Sequence, residues 1–170
     1  DESVVSETEE SAPQADEPQP GTWLQIVRGL LIFASLITAY LALISLAKGG
    51  QAPGCGPGSN CDKVLSSPWA YWLGIPVSLP GLGLYGAFLF STFALKLDQL
   101  ENARRALNTL TLCSFVTLGA AVWFVGVQAI AIKAFCPYCC VAHALASLAA
   151  IIFLINANRI GACISVRLNL

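Results

Sequence analysis

The stretch FCPYCCVAHALASLAAIIFLINA, residues 135–157, joins a Cys-x-x-Cys pair to an apolar run long enough to cross a bilayer. A hydrocarbon core ~30 Å thick takes about 20 helical residues, so the segment reads as a transmembrane helix that opens on a dithiol. Residues three apart share a helix face, so Cys136 and Cys139 can be bridged, and Pro137 is well tolerated in a first turn. A thiol in that turn also lies near the positive end of the helix dipole, which favours the thiolate that attacks disulfides. The pairing points to redox chemistry at a membrane.

The whole chain agrees with that setting. Its 170 residues are 56% hydrophobic and 11% charged, with a mean hydropathy of +0.68, whereas soluble domains carry roughly 25% charged residues. Apolar segments near 24–46, 75–97 and 106–131 join the one at 137–157, so the expected fold is an all-α integral membrane bundle of four transmembrane helices. Between the first two spans, residues 48–72 are rich in Gly, Pro, Ser and Asn and form an extramembrane loop. The polar turn at 98–105 lies on the opposite side. Little chain around Lys133 separates the last two spans, which returns Cys136 to the side of the 48–72 loop.

Charge divides the chain into three parts. Seven of the ten acids precede Trp23, in a segment too polar to bury a core, so residues 1–22 are expected to be a disordered tail. Residues 23–158 are the membrane domain and 159–170 a C-terminal tail. With no methionine in the chain, removal of a leading segment is expected, as in a processed organelle protein. Arg28, Lys96, Arg104, Arg105, Arg159 and Arg167 gather at one side, against Lys48, Lys63 and Lys133 at the other. The positive-inside rule then puts both termini in the stroma or cytoplasm and the cysteine-bearing ends in a lumen or periplasm. That compartment lets disulfides persist, in keeping with seven cysteines. Arg104 and Arg105 stand on a turn with no basic stripe or aromatic interleaving, so nucleic acid is not an expected partner.

The loop carries a second pair, Cys55 and Cys61. The Gly56-Pro57-Gly58-Ser59-Asn60 stretch between them can turn sharply enough for the Cα separation of ~4.4 to 6.8 Å that a disulfide needs. Residues 62–72 are amphipathic and bear Trp69, Tyr71 and Trp72, which suits a short interfacial helix at the headgroup level. Two dithiol pairs thus share one membrane face. A mobile loop pair can meet a soluble partner and hand electrons inward by thiolate attack through a mixed disulfide. A quinone entering from lipid would accept two electrons and two protons from such a site.

At these residues the chain resembles the vitamin K epoxide reductase family, membrane thiol oxidoreductases that reduce quinones while oxidising a thioredoxin-like partner. The likeness rests on the loop pair, on Ser66-Ser67 and Trp69 after Cys61, on Gly74-Ile75-Pro76 ahead of the second span, and on Cys136-x-x-Cys139 opening the last. It extends over about 24–157. It implies that Cys55 and Cys61 are the shuttle pair and Cys136 and Cys139 the active-site pair. It implies further that Cys136 exchanges with Cys61, that Cys139 lies nearest the quinone, and that Ser67 donates a hydrogen bond to it. Animal members have a tyrosine one turn beyond the second active-site cysteine. Here His143 stands there, able to give the same hydrogen bond. The quinone would be plastoquinone, phylloquinone, menaquinone or ubiquinone. Many bacterial and plastid members carry a thioredoxin-like domain after a fifth span, and with residues 1–170 leaving no room for either, the thiol donor is expected to be a separate thioredoxin-like protein or to lie outside this stretch of chain. The membrane would be a thylakoid, or alternatively a bacterial inner membrane.

Other readings stay beside these. Cys136 and Cys139 could form a structural bridge, or join His143 and a loop cysteine around zinc, although no metal is the expectation. His143 could be a satisfied core residue, and Ser66 and Ser67 could cap a helix. Cys113 and Cys140 read as packing residues and Cys163 as a free thiol. The glycines of Gly81-Leu82-Gly83-Leu84-Tyr85-Gly86 read as sites of close helix packing. A chain of this kind could also serve as a structural or assembly subunit of a larger, photosynthetic membrane complex.

Overall fold

The computed structural model describes residues 21–47, 60–95 and 100–168, the side chains of 100, 101 and 159–168 excepted. The acidic tail and Cys55 lie outside the described residues. In order, the elements are α1 (Gly21–Leu46), α2 (Asn60–Leu65), a 3-10 turn (Pro68–Ala70), β1 (Tyr71–Trp72), β2 (Ile75–Pro76), α3 (Ser78–Ala94), α4 (Leu100–Val127), a π-helical turn (Gln128–Ile132) and α5 (Pro137–Leu168).

Helices α1, α3, α4 and α5 close into a bundle in which α1 packs on α3 and α5, and α4 packs on the same two. The seam follows steps of three and four residues. It runs through Val27, Leu31, Ala34, Thr38 and Leu41 on α1, Ala103, Ala106, Leu110, Cys113 and Thr117 on α4, and Ala142, Ala146, Ala149 and Phe153 on α5, all buried. That repeat keeps one stripe of each helix against its neighbours, as in knobs-into-holes packing. Much of the stripe is Ala, Ser or Thr, which lets helices approach closely where lipid offers no hydrophobic drive to associate. Two of the buried seam hydroxyls are satisfied within their own helices: Thr38 donates to the Ala34 carbonyl and Ser114 to that of Leu110, both at 2.8 Å. Large apolar side chains such as Phe33, Phe90, Phe115 and Val122 face outward instead.

Three helical stretches, Gly21–Leu46, Asn102–Ile132 and Pro137–Asn158, are long and apolar enough to cross a membrane. The fourth, α3, has 17 residues, about 25 Å at 1.5 Å per residue. Its C-terminal end is tied to α1 by Arg28, whose guanidinium donates to the Thr92 carbonyl at 2.9 Å and to its hydroxyl at 3.2 Å. The same cation lies 4.2 Å from the centroid of the Phe93 ring. A cation on the last carbonyls of a helix satisfies an otherwise unpaired acceptor and complements the dipole.

The chain ahead of α3 departs from the expected interfacial helix and from an all-α fold. The helix ends at Leu65, and after the 3-10 turn the backbone forms a two-stranded antiparallel hairpin pairing Tyr71 with Pro76 and Trp72 with Ile75. The turn residues Leu73 and Gly74 both have positive φ, 52° and 80°. This is the pattern of the tight hairpin turns that match strand twist, usually coded by Asn-Gly. Gly74-Ile75-Pro76 therefore belongs to a hairpin, and the helix that follows starts at Ser78. At its far end α5 runs on through the expected C-terminal tail to Leu168. Of the glycines on α3, Gly81 faces α1, where an added Cβ would meet Thr38 at 3.7 Å, while Gly83 and Gly86 face open space. Close packing thus accounts for one of the three.

Ala149, with no exposed surface, sits in the core cluster with Val27, Leu31, Phe88, Leu110 and Phe153. Overpacking such a site costs about 1–3 kcal/mol. Ala149→Leu should lower the thermal midpoint of the detergent-solubilised protein, whereas Ile155→Leu on the exposed face should leave it within error. Equal effects would contradict the packing described.

Candidate active site

One end of the bundle gathers the reactive groups. Helix α2 lies across it, seating Cys61 and Val64 against Ala134 and Cys136, with Tyr40 and Ile44 of α1 alongside. Cys61 is disulfide-bonded, while Cys136, Cys139 and Cys140 are free thiols. The sulfurs of Cys61 and Cys136 are 3.4 Å apart and both residues are buried. Having no proton to give, Cys61 presents a disulfide sulfur to the Cys136 thiol. The separation is that of a near-attack pair, in which reacting atoms stand about 3–3.5 Å apart.

Cys136 precedes the first residue of α5, so its side chain meets the unpaired N–H groups of a helix start. The Cys139 N–H donates to the Cys136 sulfur at 3.4 Å. Hydrogen bonding from the Cys139 thiol, helped by the N–H groups of Cys139 and Tyr138, brings the Cys136 thiol down from 9.0 to about 7, against the opposing effect of burial. The Cys136 N–H is itself taken by the Gln128 side-chain carbonyl at 2.7 Å.

Behind this junction a cavity of about 800 Å³ opens among Cys139, Ser67, His143, Tyr85, Gln128 and a wall of Trp69, Trp72, Trp123 and Phe124. Its walls are mostly apolar, with few polar groups, the usual makeup of a small-molecule site. His143 is stacked on Phe124, centroids 5.7 Å apart and planes at 12°, and its Nδ1 lies 3.1 Å from the Tyr85 hydroxyl. With Nδ1 engaged, Nε2 is the nitrogen open to a ligand. Trp69 meets Trp123 edge-on at 6.4 Å, so the cap leans on α4 across the cavity mouth.

Ser67 lines the cavity, but its hydroxyl donates to the Val64 carbonyl at 2.8 Å, and Ser66 donates to that of Asp62 at 2.6 Å. Both close the end of α2. A hydrogen bond from Ser67 to a ligand would require its proton to turn away from Val64, whereas accepting one requires no change. Cys113 packs in the apolar core. Cys140 turns toward Gln128, its sulfur 3.9 Å from the amide oxygen. Among the described residues, no group of three or more His, Cys, Asp or Glu side chains is arranged to hold a metal ion.

Tyr85 and Gln128 were not among the residues singled out from sequence. Each is a polar group in an apolar helix, a signal by itself, since such residues usually face a cavity or partner.

A membrane-embedded dithiol beside a disulfide and an apolar cavity defines a thiol–disulfide oxidoreductase of the membrane class. The sequence matches the vitamin K epoxide reductase family over residues 25–154, and the chain belongs to that family. Members are membrane thiol–disulfide oxidoreductases whose electron partner is generally a quinone. No solved structure matches the chain.

If the Cys139 thiol and the helix start together hold the Cys136 thiolate, alkylation of Cys136 in the reduced protein by iodoacetamide should rise with pH about a midpoint near 7. A midpoint near the ordinary thiol value of 9.0 would contradict it.

Proposed function

We propose that this protein oxidises the dithiol of a separate thioredoxin-like protein in a lumen or periplasm and passes the electrons to a membrane quinone, thereby promoting disulfide formation. The observation that carries this reading is the 3.4 Å approach of Cys61 and Cys136, with Cys139 on the wall of the same apolar cavity. A partner dithiol reduces the Cys55–Cys61 disulfide, and the loop thiols then reduce a Cys136–Cys139 disulfide by exchange between Cys61 and Cys136. Each step is thiolate attack on a sulfur, with the other sulfur leaving as thiolate. The Cys136–Cys139 dithiol finally gives two electrons and two protons to the quinone, leaving a disulfide and a quinol.

The cavity supports a quinone better than a polar substrate. Aromatic walls suit a flat ring, and the outward apolar faces of the helices suit its arrival from lipid. His143, fixed by Tyr85 and Phe124, offers Nε2 to a ring oxygen, and Ser67 stands nearby. In this reading α1, α3, α4 and α5 each cross the membrane, and the distribution of Lys and Arg favours the site at the lumenal or periplasmic face with both termini in the stroma or cytoplasm. Under that topology Trp69, Trp72 and the exposed Leu73 of the hairpin lie at the lipid headgroups, where tryptophan is favoured. A thylakoid is the proposed membrane, with a bacterial inner membrane the alternative, and plastoquinone, phylloquinone, menaquinone or ubiquinone as acceptor.

In purified protein with a reduced thioredoxin-like substrate and a short-chain quinone, Cys139→Ala should abolish quinone reduction. Unchanged turnover would sink the enzymatic reading and favour a structural role in a larger complex. His143→Leu removes one hydrogen bond, about 1 kcal/mol. It should therefore weaken quinone binding several-fold, read as a rise in quinone KM, with the KM for the thiol substrate unchanged.

A further inference from the structure

The π-helical turn at the end of α4 has a use that the exchange of thiols alone does not reveal. Single π turns inside helices often mark functional sites. Here the turn starts at Gln128 and is closed by Lys133, whose φ of 55° is left-handed. The Gln128 backbone carbonyl accepts the N–H of Lys133 and, at 3.1 Å, that of Ala134. Its side-chain carbonyl then reaches forward to accept the Cys136 N–H at 2.7 Å. One residue therefore holds three N–H groups of the four-residue link that carries Cys136 to the start of α5.

We propose that Gln128 is the positioning residue for the exchange thiol: by fixing the Cys136 peptide to the π turn, it holds the Cys136 sulfur against both the Cys61 disulfide and the first N–H groups of α5. This rests on the reading of Cys136 as the thiol that exchanges with Cys61. Gln128 is 3% exposed and lies in an otherwise apolar stretch. An amide there is costly unless it is hydrogen-bonded, and its carbonyl oxygen is spent on Cys136. The reach is specific. Asparagine is one methylene shorter and would fall short of the Cys136 N–H, while methionine fills the volume and offers no comparable acceptor.

The geometry at Cys136 has two demands that the same anchor serves. The sulfur must stand 3.4 Å from the Cys61 sulfur and 3.4 Å from the Cys139 nitrogen. In the forward direction the Cys61 thiolate forms the Cys136–Cys61 bond, breaks the Cys136–Cys139 bond and expels Cys139 as thiolate; when the mixed disulfide resolves, Cys136 leaves as thiolate, and the reverse exchange starts from that same thiolate. A link free to shift by 1 Å would lose both the approach and the hydrogen bonds that stabilise the Cys136 thiolate. The other titratable side chains packed around the junction are Tyr40 from α1 and Tyr138, Cys139 and Cys140 from α5, the Cys140 sulfur lying 3.9 Å from the Gln128 amide oxygen.

The test is the pH profile of Cys136 alkylation by iodoacetamide in the reduced, detergent-solubilised protein, followed by peptide mass, for wild type, Gln128→Met, Gln128→Asn and Gln128→Glu. Loss of the anchor in Met and Asn should raise the alkylation midpoint by about one pH unit or more from its value near 7, toward the ordinary 9.0. Turnover with a reduced thioredoxin-like substrate should fall about 10-fold in kcat. Glu keeps an oxygen acceptor at the same reach and should retain turnover within about 3-fold. A wild-type midpoint in Met or Asn overturns the proposal, as does an equal defect in Met and Glu. If Met does not accumulate as folded protein, the Asn and Glu pair decides in the same way. Alkylation needs no quinone, so a chain that fails to reduce quinone would still report on Gln128.

Discussion

The approach of a disulfide sulfur on a short cap helix to a thiol at the start of a membrane helix is the constraint around which this protein is arranged. It demands that α2, which carries little hydrophobic surface of its own, be seated firmly on the bundle. Cys61 and Val64 do this by burying themselves against Ala134 and Cys136. It also demands that Cys136 be ionisable while buried. The helix start meets that demand with N–H groups that would otherwise lack partners. Burial alone would push the thiol the other way; the Cys139 thiol is the larger influence that outweighs it, and the N–H groups of the helix start add to it.

The bundle beneath is built to keep this end rigid while leaving a cavity beside it. Small residues along the seams bring the helices close in the lower part of the bundle, where Phe88, Leu110 and Phe153 fill the core. Toward the site the elements are joined around the cavity by the Tyr85–His143 pair and by the aromatic contacts of Trp69 with Trp123 and Phe124 with His143. Apolar side chains on the outside and an apolar cavity inside suit a ligand that travels in lipid. The polar groups are confined to the wall near Cys139, where a ring oxygen would need them.

Much of this was legible in the sequence for a simple reason. Long apolar runs and a Cys-x-x-Cys with helical spacing are local signals, and the segments at 24–46, 106–131 and 137–157 all lie in helices, although α4 starts earlier, at Leu100, and α5 runs on to Leu168. Features set by tertiary contact were not. The hairpin was hidden because its turn uses Leu73 and Gly74 in place of Asn-Gly, so the aromatic run before it looked like one amphipathic helix. The π turn leaves no periodic trace in a helix that is apolar on every side. Tyr85 lay within a glycine pattern that drew attention to packing, and its partner His143 is distant in sequence and meets it only when α3 packs near α5. The seams themselves were invisible by hydropathy, since in such helices apolar side chains face both ways, Phe88 and Phe153 inward and Phe33 and Phe90 outward.

The central claim is that Cys136 is the thiol that exchanges with Cys61. In Cys139→Ala the resolving thiol is gone, so a Cys136 attack on the Cys61 disulfide should stall as a mixed disulfide. Non-reducing digestion and mass spectrometry should then recover the peptide containing Cys61 joined to that containing Cys136 as the main cross-linked species. Recovery of Cys136 as a free thiol, with Cys61 joined elsewhere, would contradict the account.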